Sequence, residues 1–501
     1  MAKSPQQSLA YVRAEDAPKL SPPANLVGWR GWVLANLFPN WQNGLLTIVA
    51  SLFLYWVLSN VLGWALFRAV WTGENRDVCA VQGVGACWPF VGAKFAQWIY
   101  GFYPIDQRWR VNICFIVGLC ALIPLLMPSV PCKKWNALFF LMVFPLMSFI
   151  LLTGGNFSIS LSSFLSVAVI FAVIASFLPL VVLGMEEGLH HSRRGLVLAG
   201  IGFVLWLSDF FIVFKSISTP LGELPYSTVG GFLLVFAGGA MGLAQIGRLQ
   251  TLDARSTARS WLVVFLSVLA VMLLLRTDYG LTYVETPQWG GLLVTLVVAI
   301  TGIVFSLPLG ILLALGRRSD MPVVKYFSIG FIEIWRGVPL ITVLFMAMYM
   351  LPLFLPPGTN LDKLSRALVG IALFSSAYMA EVVRGGLQAI PKGQIEAAHA
   401  LGLPYWQTMR LIVLPQALKI VIPGIVNTFI GLFKDTALLT VVGLSDLLGI
   451  IITGFADAKW ASPQTPPTGY FTAALIFWIF CFGMSRYSQF IERRLNTGHK
   501  R

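Results

Sequence analysis

Stretches of about twenty residues without a charge recur along this chain, and they limit its fold more than anything else in it. The runs at 45–67 and 291–315 contain no Asp, Glu, Lys or Arg, and that at 196–212 contains only Asp209. A helix rising 1.5 Å per residue needs about 20 such residues to cross a bilayer core. Backbone polar groups in hydrocarbon have to bond within the protein, so a spanning chain is either helical or a closed β-barrel. A barrel would alternate apolar and polar positions in ~10-residue segments, and no such alternation is present. With 57% hydrophobic and only 11% charged residues, an ordinary soluble domain is excluded. The expected fold class is all-α integral membrane.

About forty polar, Pro-containing residues precede the first apolar run, so that run is expected to stay as an anchor rather than leave as a signal peptide. The net charge of +14 would point to nucleic acid in a soluble protein. Here the basic residues gather at span ends, so membrane topology accounts for them and no nucleic-acid partner is expected. Of the six cysteines, Cys114, Cys120 and Cys481 lie in apolar segments and Cys132 at a span end. Cys79 and Cys87 flank a Gly-rich turn in a polar loop. They admit a disulfide if that loop faces an oxidising compartment, or two free thiols in a tight turn.

The apolar pattern threads twelve spans: 45–67, 111–130, 136–153, 160–183, 196–214, 229–247, 260–275, 291–315, 326–351, 367–385, 419–441 and 470–487. With the N-terminus inside, Lys133-Lys134, Arg193-Arg194, Arg317-Arg318 and the tail with Arg493-Arg494 fall on the cytoplasmic side, as the positive-inside rule asks. Both termini are then cytoplasmic. The segment 438–455 is apolar but interrupted by Gly443, Asp446 and Gly449, and reads as a re-entrant or surface helix on the outer face. The aromatic-rich outer loop 68–110 is expected to lay residues 91–103 flat on the bilayer interface. The divisions are a tail at 1–44, a membrane extension at 45–276, and a core at 277–501 holding a cytoplasmic loop at 386–418.

In that loop stands Glu396-Ala397-Ala398-His399-Ala400-Leu401-Gly402, followed by Ile412-Val413-Leu414-Pro415, which reads E-A-A-x(3)-G-x(9)-I-x-L-P. Pro391 and Gly393 end the preceding helix, and 394–401 can form about two helical turns. Glu396 is placed early in that short helix, where the dipole favours a negative charge. The alanines are strong helix formers of little bulk. Gly402 suits a left-handed helix stop and Pro404 the first turn of the next helix. The plain alternative is an ordinary hairpin between spans.

The spacing resembles the cytoplasmic coupling loop of the membrane subunits of bacterial ABC importers. Three further strings are similar to polar amino acid permeases: Glu333-Ile334-Trp335-Arg336-Gly337-Val338-Pro339-Leu340, Ala380-Glu381-Val382-Val383-Arg384-Gly385-Gly386 and Phe433-Lys434-Asp435-Thr436. Glu285-Thr286-Pro287-Gln288-Trp289-Gly290-Gly291 and the stretch 85–95 resemble the general L-amino acid permeases. The likeness covers about 277–501 strongly and 30–130 fairly, and it fails between about 154 and 275, where extra spans are expected. It implies a type I importer-like five-helix core preceded by about seven further helices. It also implies coupling through Glu396, Ala397, Ala398 and Gly402 to ABC ATPases, two of them, which use ATP and Mg while this chain binds no cofactor. A second, non-identical permease subunit and a periplasmic amino acid-binding protein complete the implied assembly in the inner membrane. Consistently, the dipeptide Gly-Lys of a phosphate cradle never occurs here.

Charged groups within a span are costly enough to count as functional candidates. Lys434 and Asp435 interrupt the span 419–441 beyond Asn427 and Thr428. Seven residues apart, Thr428 shares a face with Asp435, and Asn427 with Lys434. The four could serve the two ends of an amino acid zwitterion, or Lys434 and Asp435 could pair structurally. Glu333 and Arg336 are expected to form a local i, i+3 ion pair, with Pro339 kinking the helix beside a gate. His190-His191 next to Glu186-Glu187 converge poorly on one ion, so no metal is expected. The rival reading is a secondary transporter or channel for small polar solutes, which would need its own coupling residues on paired broken helices. A membrane enzyme lacks support, with four histidines and no H-E-x-x-H.

Overall fold

The computed structural model describes residues 28–127, 130–155, 157, 159, 164, 167–176, 185–208, 216–219, 222–248, 252–354 and 361–495, with backbone alone at 185–193, 206–208, 216–219, 222–229, 245–248 and 252–258. The chain divides into two compact units, Met1–Gly92 with Phe455–Thr468, and Ala93–Gly454 with Gly469–Arg501.

In the first unit, α1 (Gly28–Asn36) precedes α2 (Trp41–Leu62), which continues as a π turn to Phe67. Asn40 caps α2 by accepting from the Asn43 N–H. No part of the apolar window of this 27-residue stretch is buried, as suits a helix with hydrocarbon on all sides. Trp29, Trp32 and Trp41 stand exposed at its start, the composition of a membrane-interface belt. Beyond α2 the chain folds into a knob. Trp64 and Arg68 carbonyls accept from Ala86 and Gly85, and Val70 pairs with Cys87. Cys79 and Cys87 are joined in a disulfide, both fully buried. The segment 455–468 closes the knob: Thr468 Oγ1 accepts from the Cys87 N–H at 2.9 Å, Trp64 donates to Gln464 at 3.3 Å, and Phe455 and Trp460 pack on Phe90.

The second unit begins at Ala93, within α3 (Trp88–Tyr100), and continues with α4 (Arg108–Leu126), α5 (Lys133–Leu138), a π turn and α6 (Phe144–Thr153). Then come α7 (Val167–Ser176), α8 (Met185–Ser208), a hairpin of β1 (Ser216–Thr219) and β2 (Gly222–Pro225) in antiparallel register, α9 (Tyr226–Arg248) and α10 (Leu252–Arg276). Small residues bring α7, α8 and α9 together. A Cβ on Gly238 would lie 2.5 Å from the Gly195 carbonyl, and one on Gly242 2.5 Å from that of Ala175. Such backbone approach is the usual means of helix association where no water is expelled.

The remaining helices are α11 (Gly291–Arg317), α12 (Pro322–Gly337), α13 (Leu340–Phe345), α14 (Lys363–Ala389), α15 (Lys392–Ala400), α16 (Tyr405–Thr408), α17 (Leu414–Asp435), α18 (Leu447–Thr453) and α19 (Thr465–Leu495). At the centre lies α14, with 56% of its apolar window buried against 0% for α10. Two apolar clusters flank it: one around Leu293, Leu344, Ile371 and Phe433, the other around Ile332, Met379, Val383 and Val413.

Among the described residues eight helices are long and apolar enough to span, or up to nine if a bent pair counts as one. The expected spans 160–183, 196–214 and 229–247 fall partly outside the described residues; their described parts are shorter apolar helices. One expectation is corrected. The expected span 326–351 is no kinked helix: α12 and the following helix meet at 106°, because Pro339 cannot continue α12 and instead stands as the N-cap of α13. The expected span 419–441 forms the later part of a longer helix, Tyr405–Val442, which begins right after Pro404. One face of α3 is held by protein. Trp98 and Tyr103 are buried against the start of α11, where Gly101 and Gly290 touch and Gly291, at φ +65, sits against the Trp98 carbonyl.

Candidate functional site

The loop after α14 folds as a short rigid lever. Pro391 caps α15, and the helix stops in a paired left-handed motif: the Leu403 N–H donates to the Ala398 carbonyl and the Gly402 N–H to that of His399, with Gly402 at φ +71. Ala398 is buried and Ile395 packs into the Ile332–Val413 cluster, which fixes the helix to the bundle. Glu396, Ala397 and Ala400 face outward, as do the large apolar side chains of Leu401 and Trp406. One expectation changes here. No acidic residue lies in the first turn of α15; Glu396 is its fifth residue, too far along for the helix dipole to hold it.

Beside this lever is an ionic hub. Glu381, on α14 and only 14% exposed, meets three guanidiniums: Arg384 at 2.6 Å, Arg317 from the end of α11 at 3.1 Å and Arg336 from the end of α12 at 3.6 Å. Arg317 also reaches Glu333 at 2.9 Å. The expected Glu333–Arg336 pair is therefore wrong. Arg336 turns to α14 and lies over the Tyr378 ring at 5.7 Å, while Glu333 turns to α11. The reason is electrostatic: a carboxylate shielded from water between three helices outcompetes an exposed one on the same helix. Two carboxylates and three guanidiniums tie α11, α12 and α14 together at the end that carries α15. Arg318 adds a bond to the Leu387 carbonyl at 3.1 Å.

On α17, Asn427 and Lys434 are exposed and Thr428 and Asp435 half-buried. The Thr428 hydroxyl donates to the Gly424 carbonyl one turn back at 3.0 Å. Among the described residues no ion pair within 4 Å involves Lys434 or Asp435.

The opposite end of the core is stitched by neutral bonds around one buried carboxyl. Asp446 caps α18 by accepting from the N–H groups of Leu448 and Gly449, and it accepts from the Thr440 hydroxyl. The Gly291 N–H donates to the Ser445 carbonyl and the Leu447 N–H to Thr295. Burial pushes the Asp446 carboxyl above its ordinary range, against the pull of these donors. Nearby, Arg110 is 1% exposed and clamps the linker before α11 by donating to the Thr282 carbonyl and hydroxyl.

Sequence reasoning missed the hub's centre. Glu381 and Arg384 stand three apart inside or at the edge of an expected span, and the rule that flagged Lys434 applies to them equally. Arg317 reads as a plain inside-facing charge, and only the fold shows it reaching two helices. The clusters His190-His191 and Glu186-Glu187 lie where side chains are not described.

Comparison with known proteins places this geometry. The family described as "Binding-protein-dependent transport system inner membrane component" matches residues 306–497. The inner membrane amino-acid ABC transporter permease protein YhdY of Escherichia coli (strain K12) is 40% identical over 467 residues, 93% of each chain. The glutamate/glutamine/aspartate/asparagine transport system permease protein BztC of Rhodobacter capsulatus is 39% identical over 98% of this chain and 99% of its own. The probable glutamine permease protein GlnP of Bacillus subtilis is 36% identical, but over 41% of this chain and 92% of its own. Residues 154–275 are thus no private insertion: chains of full length share them, and shorter relatives match without them. With full-length identity of this order, the chain belongs to the amino-acid ABC transporter permeases, multi-pass inner-membrane components of binding-protein-dependent transport.

Proposed function

We propose that this chain lines half of the path of an ATP-driven L-amino acid importer and is moved through α15. Residues 277–501 act as the core, 386–418 as its coupling loop, 45–276 as an added membrane region and 1–44 as a cytoplasmic tail. Both termini and α15 then face the cytoplasm. Glu396, Ala397, Ala398 and Gly402 form the lever on which one of two ATPases bears. Those ATPases supply the ATP and Mg chemistry, and the chain itself is not an enzyme. A second, non-identical permease completes the path, and a periplasmic amino acid-binding protein delivers the substrate.

The observation that carries this reading is the lever's construction: Ile395 and Ala398 anchor it while Glu396, Ala397, Leu401 and Trp406 stay open. A helix held rigidly and capped at its end passes a push to the helices attached to it. The hub around Glu381 lies next in line and ties together the three helices that would have to part, which gives it the role of inner gate.

The full-length likeness to BztC supports polar amino acids, acidic ones and their amides, as the substrate class. Exposed Lys434, without a carboxylate within 4 Å among the described residues, supplies a cation for a substrate carboxylate. Asn427, Thr428 and Asp435 take the remaining polar groups.

Disulfide cross-linking tests the coupling. Ala397→Cys is expected to bond to a cysteine-bearing ATPase in the assembled transporter and to stop uptake until reductant is added. Absence of any cross-link from positions 393–401 would overturn the coupling. Uptake into vesicles by the permease without ATPases would establish the secondary-transporter reading instead. For the path, Lys434→Gln and Thr428→Glu are expected to change which amino acids compete for uptake; an unchanged profile in both removes the α17 assignment.

A further inference from the structure

Between α7, α9 and α10 lies a crevice of about 140 Å³ lined by apolar side chains. Phe171 forms its wall, 5.1 Å from the Trp261 ring and 5.2 Å from that of Phe265. Ala168, Ala175 and Ala240 add little bulk to the lining, and Gly239 lies close against the Ala172 backbone. No polar side chain of the lining offers a hydrogen bond into it apart from the Trp261 indole, so a polar solute gains nothing there.

On α10 the lining residues Trp261, Leu262 and Phe265 fall in the first half of the apolar span Arg259–Arg276. Arg259 is exposed and stands one helical turn before Leu262, which lines the crevice. Arg248 ends α9 five residues after Leu243, which also lines the crevice. From 248 to 259 the chain carries Arg248, Arg255 and Arg259 against the single carboxylate of Asp253. A second, more open hollow is lined by Arg194 together with Val197, Leu198 and Met241. An apolar slot within the bilayer with cations at its membrane-surface end has the polarity of a phospholipid: chain inside, phosphate at the basic rim.

We propose that the crevice between α7, α9 and α10 holds an acyl chain of an anionic phospholipid whose phosphate rests at Arg259. The bound lipid fills space that the small residues of α7 and α9 leave empty. It also gives the region absent from short relatives a partner of its own, the charged leaflet. Hydrophobic burial of the chain and the charge at the rim act together: the first holds any phospholipid, the second selects anionic ones.

The complete transporter, reconstituted in vesicles of phosphatidylethanolamine and phosphatidylglycerol and then extracted in mild detergent, provides the test. Mass spectrometry is expected to find phosphatidylglycerol retained over phosphatidylethanolamine. Ala240→Phe, which adds a ring to the lining, is expected to cut retained phosphatidylglycerol at least five-fold. Arg259→Gln is expected to reduce the preference for phosphatidylglycerol about five-fold, the worth of one surface cation. Equal retention of the two lipids, or no change in Ala240→Phe, overturns the proposal. A second measurement uses a variant that leaves the crevice open: brominated phosphatidylglycerol chains should quench the fluorescence that Trp261→Phe removes. If that fluorescence is not quenched in the assembled transporter, a helix of a partner subunit covers the crevice, and the proposal fails.

Discussion

Helices α7 to α9 and helices α11 to α14 face the same difficulty, since neither set gains from expelling water between helices in a bilayer. They meet it differently. The first set closes backbone on backbone, with Gly238 against Gly195 and Gly242 against Ala175. The second is filled by large side chains such as Ile332, Leu344 and Met379 and tied at one end by Glu381 and its three arginines. Backbone contact has one good geometry and no alternative partner. An ionic hub with three cations for one central carboxylate can exchange partners as helices move. The difference separates a region built to keep its shape from one built to change it.

The sharpest way to break this comparison is at Glu381. Glu381→Ala leaves three guanidiniums facing one another, and uptake is expected to fall more than ten-fold while the assembled transporter can still be purified. If instead only thermal stability drops and uptake per folded complex is unchanged, the hub is a staple and the contrast disappears. The converse test is Gly238→Val. Its added atoms meet the Gly195 carbonyl and Ala199 backbone, and overpacking of that kind costs about 1–3 kcal/mol. Melting temperature should fall, with coupled uptake per folded molecule preserved; a selective loss of uptake would place α8 and α9 in the moving part.

Two smaller effects sharpen the picture. Asp446→Ala removes the α18 cap and is expected to cost roughly 1 kcal/mol. With Asp446→Asn the cap stays but the titration goes. Because burial raises the folded carboxyl above its unfolded value, the protonated form favours the fold. That contribution is complete below the unfolded value and lost as pH rises through the folded one. Unfolding midpoints measured from acid to neutral pH should decline less in Asp446→Asn than in the unaltered protein. Smallest of all, Glu333→Gln touches an exposed pair and should change stability by no more than about 0.5 kcal/mol. A loss as large as that of Glu381→Ala would show that Glu333 shares the gate.

Much of this was legible from residue order alone. Apolar length marks the core spans, and the spacing from Glu396 to Pro415 marks the lever, since caps and breaks are local properties of a few neighbours. Gly402 is the plainest instance: its left-handed stop follows from its place after an alanine-rich turn. The hub was not legible in full. Arg317, Glu333, Arg336 and Glu381 come from three helices, and an i, i+3 rule could propose only the partner on the same helix. The 106° break at Val338-Pro339 was read as a kink because proline chemistry alone does not fix an angle. Packing in α7 to α9 was hidden for a different reason: glycine in an apolar run carries no period of its own, and its meaning appears only with the helix across from it.

The knob around Cys79 and Cys87 also has a timetable. Trp64 finds its partner Gln464 400 residues later, and the Cys87 N–H finds Thr468 381 residues later. At synthesis rates of about 5–20 residues per second, that wait is roughly 20–80 s. For that interval the disulfide and the turn at 85–88 can already exist, while the face that Phe455 and Trp460 will cover on Phe90 stays bare. Only a chain synthesised almost to its end can finish the knob, so a permease truncated before Phe455 lacks the aromatic cover on Phe90.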